Sequence, residues 1–272
     1  MSVLVNLIVM LGMLFVVPAG LRLIDSEGLA PIRRIWPLFA VCGAVALWLP
    51  RSAAATALAA VYAIGTLLPA AAAARRLARS RSLAAAESAV LAALTAPSVA
   101  GAALTAERAG HELFGFSLEI LALTVPHFHY AGFAAALVAG LVCRTAAGPG
   151  ARFAAFSVPL GTLLVLAGYF IDDWAELAGA LVLTAGMWTV AVLTWRDIRT
   201  GGRDRVTRTL LTVSAAVLAA TMLLALSWAV GEATGLPHPN LTWMAATHGL
   251  GNALGFALCS LLAWRRLKET PV

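Results

Sequence analysis

His127, His129 and Tyr130 stand together in PHFHYAGF, residues 126–133, inside an otherwise apolar run of the chain. Histidine exchanges protons near neutral pH and binds metals through a neutral ring nitrogen. A tyrosine hydroxyl both donates and accepts hydrogen bonds. Ionisable side chains are costly in hydrocarbon, so within a membrane span they mark function or a bonded partner. Residues two apart on an α-helix point about 200° apart around its axis. Both histidines therefore serve one small site only where the helix is irregular, and Pro126, which removes a main-chain hydrogen bond, gives a reason for irregularity. The competing reading is a pair of hydrogen bonds that join neighbouring helices.

A second constellation lies in THGLGNALGF, residues 247–256. His248 and Asn252 are four apart and share a helix face. Gly251 and Gly255 form a GxxxG pair that permits close helix approach. The face either presents an imidazole and an amide to a cavity or packs against a neighbour around one hydrogen-bonded histidine. At 1.5 Å per residue, His127 and His248 both lie roughly 25 Å from the basic loops that follow their spans. Glu119 and Asp172 fall near the same level. The spacing thus allows one polar pocket of histidines and a carboxylate, biased towards one face of the bilayer.

Three kinds of function suit such a pocket. One is cofactor-independent acid–base chemistry, an isomerisation or cyclisation of a lipophilic small molecule such as an isoprenoid or polyketide. His127, His129 and His248 would move protons, a carboxylate from Glu119 or Asp172 would orient them or act as the acid, and Tyr130 and Asn252 would complete the site. The second is a haem- or transition-metal-binding redox protein with ligands among His127, His129 and His248. The third is a non-catalytic transporter or assembly factor; the lack of an internal repeat argues against a transporter built from inverted repeats.

The elements that position these residues are transmembrane helices. Of 272 residues 61% are hydrophobic and only 12% charged, against about 25% charged in soluble domains, and the mean hydropathy is +0.89. The fold class is all-α, a single polytopic transmembrane helix bundle. Nine apolar runs are long enough or nearly so to cross a bilayer: 3–22, 35–50, 53–74, 84–105, 116–143, 153–171, 174–195, 209–230 and 242–264. The first lacks a basic leader and a small-residue cleavage site and reads as a retained helix. Cys42, Cys143 and Cys259 lie within or at the ends of these runs without CxxC spacing and read as small packed residues.

Of the 19 Lys and Arg, all but Arg51 and Arg108 fall in alternate loops. The positive-inside rule then places the N-terminus outside and the C-terminus in the cytoplasm of a bacterial cell with a multi-pass inner-membrane protein. The net charge of +6 is topological and does not imply nucleic acid. The bilayer and a lipophilic substrate are the expected partners. Glu107, His111, Glu112, Asp172, Asp173, Glu232 and His238 occupy the other face and read mostly as loop solvation. Glu87 starts the fourth span beside basic loops, where an ion pair explains it. Trp36, Trp48, Trp174, Trp195, Trp243 and Trp264 lie near span ends and read as interfacial anchors.

Through His127, His129, Tyr130, Gly132 and Phe133, followed by His248, Gly249, Asn252, Gly255 and Phe256, the chain resembles the YndJ-like bacterial membrane proteins. The resemblance rests on two short motifs, covers mainly the fifth to ninth spans, and implies a polytopic bundle without specifying a reaction. HFHY is also similar to the helix of haem–copper oxidases in which two histidines ligate two haems from opposite faces. Such a site requires six histidines and this chain has five. A complete oxidase centre is excluded, while a single haem held by His248 and one of His127 or His129 stays open.

Overall fold

The computed structural model describes residues 2–25 and 27–269, and among these there are nine helices and no strand. They are α1 Val3–Leu23, α2 Ala30–Ala46, α3 Ala53–Ser80, α4 Ala85–Ala109, α5 Leu118–Thr145, α6 Pro149–Gly168, α7 Asp173–Ile198, α8 Arg205–Thr234 and α9 Leu241–Lys268. All but α2 are long and apolar enough to cross a bilayer. The nine apolar runs of the sequence are therefore the nine helices. The second differs most: it begins at Ala30 and ends at Ala46. Hydropathy misses its first turn because Arg33 lies there. Arg33 folds back to donate to the carbonyls of Leu21 (3.0 Å) and Ile24 (2.6 Å), which closes the C-terminal end of α1 with a cation.

Helix starts follow side-chain capping rules. Ser2, Ser52, Ser117, Asp172, Asp204 and Asn240 each accept a main-chain N–H from the first turn of α1, α3, α5, α7, α8 and α9. The helices divide into two compact units. One holds the chain up to Ser82 with Val90–Ala134; the other holds Leu83–Ala89 with the chain from Ala135 on.

In the first unit α2 and α3 meet through missing side chains. A Cβ on Gly43 would sit 2.7 Å from the Tyr62 ring, and one on Gly65 would strike the Phe39 ring. Trp36 is fully buried, edge-on to Tyr62 at 6.0 Å, and its indole donates to the Met13 carbonyl at 2.8 Å. It is a core residue and not an interfacial anchor, because α2 starts earlier than its apolar run and draws Trp36 inward. Trp264 is buried too, whereas Trp48, Trp174, Trp195 and Trp243 are exposed as interfacial residues are. Glu107 also departs from its expected solvated state. It is fully buried between Arg51, which donates to it at 2.8 Å, and Arg108, which also reaches the carbonyls of Ala46 and Leu49.

In the second unit α6 and α7 pack backbone to backbone. A Cβ on Gly161, Gly168 or Gly179 would strike the facing helix's main chain, and one on Gly186 would strike Ser157. Each pair of glycines is seven apart, so one stripe per helix stays bare and dispersion forces act at closest range. Glu87 pairs with Arg144 at 3.7 Å, as its place beside basic loops predicts. All three cysteines are free.

Candidate functional site

The chemistry-bearing motifs fall where the helices depart from α geometry. Within α5, residues Phe128–Ala135 follow an i→i+5 pattern that starts just after Pro126 and includes His129 and Tyr130. In α1 the same pattern covers Gly12–Val16. In α9 it covers Ala245–Gly249 and Gly251–Leu258, which include His248 and Asn252. Such widened turns are rare and concentrate at functional positions.

In the first unit His129 is fully buried and bonded on both ring nitrogens. Nδ1 lies 2.7 Å from the Val125 carbonyl, and Nε2 lies 2.5 Å from the Tyr62 hydroxyl. A carbonyl only accepts, so Nδ1 carries the proton. In the neutral ring Nε2 then accepts from Tyr62. Tyr62 is itself fully buried. Gly12 makes room for this ring: a Cβ there would lie 3.0 Å from His129. Tyr130, next along α5, donates its hydroxyl to the Ile8 carbonyl of α1 at 2.8 Å. His127 is half-buried with its ring edge-on to Phe128. His129 is thus committed to a neighbouring helix through Tyr62 of α3. Glu119 is exposed in the first turn of α5, where a carboxylate suits the helix N-terminus.

In the second unit His248 belongs to a closed ring of hydrogen bonds. Its Nδ1 donates to the Thr221 carbonyl of α8 at 2.8 Å, and its Nε2 accepts from the Asn252 amide at 3.2 Å. The Asn252 carbonyl in turn accepts from the Thr221 hydroxyl at 2.8 Å. Gly251 and Gly255 face Thr221 and Val217, so the GxxxG stripe is the α8-packing face. Asp172 is exposed and its carboxylate caps α7 by accepting from Ala175 at 2.8 Å. Among the described residues neither Asp172 nor Glu119 bonds a histidine. His129 and His248 would each have to give up one of these bonds to ligate a metal. Among the described residues no three His, Cys, Asp or Glu side chains gather as a metal-holding group.

Sequence reasoning missed Tyr62 and Thr221. The signal available for Tyr62 was a lone aromatic residue amid the alanines of the third run; for Thr221 there was none, since a threonine inside a helix usually bonds its own backbone.

These features define a multi-pass membrane protein with polar ties set into widened helical turns. The chain belongs to the YndJ-like protein family, whose model matches residues 7–256 and so extends well beyond the two motifs. No curated protein and no solved structure matches it.

Proposed function

We propose that the protein is an intramembrane acid–base enzyme that isomerises or cyclises a lipophilic small molecule, with Tyr62 and His129 as its proton-transfer pair. The reading rests on one observation, the buried hydrogen bond from Tyr62 to His129 Nε2. Tyr62 uses its proton in that bond and keeps its oxygen lone pairs open among the described residues. A proton taken from a substrate carbon passes to the Tyr62 oxygen as the phenolic proton passes to His129 Nε2. The imidazolium that results is stabilised by the Val125 carbonyl on Nδ1. Return of the proton at another carbon restores both residues, so the cycle consumes no cofactor. Burial keeps water from intercepting the intermediate, and substrate gains access by movement of the helices around Tyr62. An isoprenoid or polyketide chain dissolved in the bilayer suits such a site. The Thr221–Asn252–His248 ring is assigned no proton step, because the Thr221 hydroxyl is committed to the Asn252 carbonyl, and the imidazole to the Thr221 main-chain carbonyl and the Asn252 amide.

The test is solvent isotope uptake. Purified protein in lipid nanodiscs is incubated in D2O with a lipid extract of its native membrane, and the lipids are read by mass spectrometry. One lipophilic species gains carbon-bound deuterium with the native protein and not with Tyr62→Phe or His129→Gln. Absence of protein-dependent uptake in every species defeats the reading.

A further inference from the structure

Trp36 lies beside the Tyr62–His129 pair without belonging to it. It is fully buried, as are Tyr62, His129 and Met13. A buried indole N–H needs an acceptor, and α1 supplies one from its widened turn. There Val17 donates to the Gly12 carbonyl, five residues back. The next carbonyl, that of Met13, accepts from Trp36 Nε1 at 2.8 Å. The same turn faces His129 through Gly12, where a Cβ would lie 3.0 Å from the histidine side chain. One turn of α1 thus touches both ends of the arrangement.

The Tyr62 ring sits among these contacts. Trp36 and Gly43 are seven apart on α2 and share a face. Gly43 leaves the space that the Tyr62 ring fills, since a Cβ there would lie 2.7 Å from it. Trp36 meets the same ring edge to face, with centroids 6.0 Å apart and planes at 76°, the arrangement that aromatic quadrupoles favour. The Tyr62 hydroxyl reaches the imidazole at 2.5 Å, with the two ring planes 31° apart. The contacts close a circuit: Met13 to Trp36, Trp36 to Tyr62, Tyr62 to His129, and His129 back to Gly12 beside Met13.

A tyrosine ring pivots on its side-chain torsions, and the hydroxyl is the atom farthest from the pivot. A swing of the ring therefore displaces the hydroxyl most, and misplacing a reacting group by about 1 Å costs about a hundredfold in rate. We propose that Trp36 is a positioning residue for the pair: anchored on the Met13 carbonyl, its indole holds the Tyr62 ring so that the hydroxyl stays on His129 Nε2. The inference rests on the proton-transfer reading for its effect on rate alone. Asn6 supplies a comparison. It lies seven residues before Met13 on the same face of α1, and it donates to the Leu47 carbonyl just past α2 at 3.1 Å. That tie joins the same two helices about 10 Å further along α1.

The test uses the full chain in lipid nanodiscs with isotope-labelled histidine, read by nuclear magnetic resonance. The His129 Nε2 resonance is assigned by its loss in His129→Gln, and Tyr62→Phe gives its position without the donor. Trp36→benzothienylalanine keeps the fused ring and lacks only the N–H; Trp36→Phe, with a smaller ring, is the second variant. Either change moves the resonance at least halfway to its Tyr62→Phe position and lowers deuterium uptake into lipid by about tenfold to a hundredfold. Asn6→Leu, which breaks the other tie between α1 and α2, leaves both as in the native protein. A resonance unmoved in the benzothienylalanine variant, or moved equally by Asn6→Leu, overturns the proposal. So does a moved resonance with native uptake. Absence of uptake in the native protein defeats the proton-transfer reading instead, and the resonance then decides by itself whether Trp36 places Tyr62.

Discussion

Replacing Tyr62 with Phe keeps the ring that fills the space between Gly43 and Trp36 and deletes only the hydroxyl. His129 is fully buried, so Nε2 is left with no donor and no water. In soluble proteins an orphaned buried acceptor costs about 1–3 kcal/mol. Within membranes, side-chain hydrogen bonds couple by about 0.6 kcal/mol on average and about 1.7 at most, because the unfolded chain in lipid also finds partners. Full burial of both groups and the 2.5 Å separation place this pair at the upper end, about 1–2 kcal/mol. His129→Leu alone orphans the Tyr62 hydroxyl by the same logic. The double variant Tyr62→Phe/His129→Leu removes both polar groups together and costs less than the two single changes added. The cycle is read from reversible unfolding in mixed detergent–lipid micelles, followed by tryptophan fluorescence. Additivity within about 0.3 kcal/mol, or a Tyr62→Phe protein as stable as the native one, would falsify the hydrogen-bonded pair and with it the proton relay.

Three further outcomes follow from the geometry. Glu107→Gln leaves Arg108, 5% exposed, without its counter-charge, so micelle unfolding shows a loss of about 3 kcal/mol or more; a change under about 0.5 kcal/mol means the triad is already solvated. His248→Ala opens the ring with Asn252 and Thr221 and lowers stability by about 1–3 kcal/mol while deuterium uptake into lipid persists; loss of uptake in a folded His248→Ala protein places that ring in the reaction. Asp204 is held at about 2, below its ordinary 3.8, by the hydrogen bonds of Thr207 and then by Arg266 of α9. The folded value is depressed, so the tie between the start of α8 and the end of α9 is fully present above pH 3.8 and is lost as pH falls towards 2. Hydrogen exchange at the C-terminal turns of α9 accelerates over that window, and Asp204→Asn removes the dependence.

The helices were legible because a bilayer imposes a length on each apolar run and the loop charges alternate with it. The errors have a common cause. Hydropathy averages over a window and cannot see that Arg33 returns to the carbonyls of Leu21 and Ile24, so α2 was started late and Trp36 was assigned to the interface. The same averaging made Glu107 an ordinary loop acid, although its two arginines are one and 56 residues away and close on it only in the fold. The GxxxG pair of α9 permits close approach, and Thr221 and Val217 of α8 meet it; the sequence leaves open whether that face packs or lines a cavity, because spacing on one helix does not name the neighbour.

The candidate site was half legible, and the reason lies in the widened turns. A rule of 3.6 residues per turn puts His127 and His129 on opposite faces and gives no ground for choosing between them. Pro126 signals that the rule fails nearby but not which residue turns inward. The choice is made by α1: its own i→i+5 segment begins at Gly12, the residue whose missing side chain admits the His129 ring. The hydrogen-bond partner then comes from α3, 67 residues away, through a tyrosine whose ring fits because α2 offers Gly43. Three helices must be placed before His129 acquires its role. Motif spacing along one helix cannot encode that, whereas Gly12 and Gly43, read as demands for close approach, mark the surfaces where the His129 and Tyr62 rings arrive. A buried histidine in such a chain is therefore best sought opposite the glycines of other helices, and the substitutions that report on it first are Gly12→Ala and Gly43→Ala, which press on His129 and Tyr62 without touching either polar group.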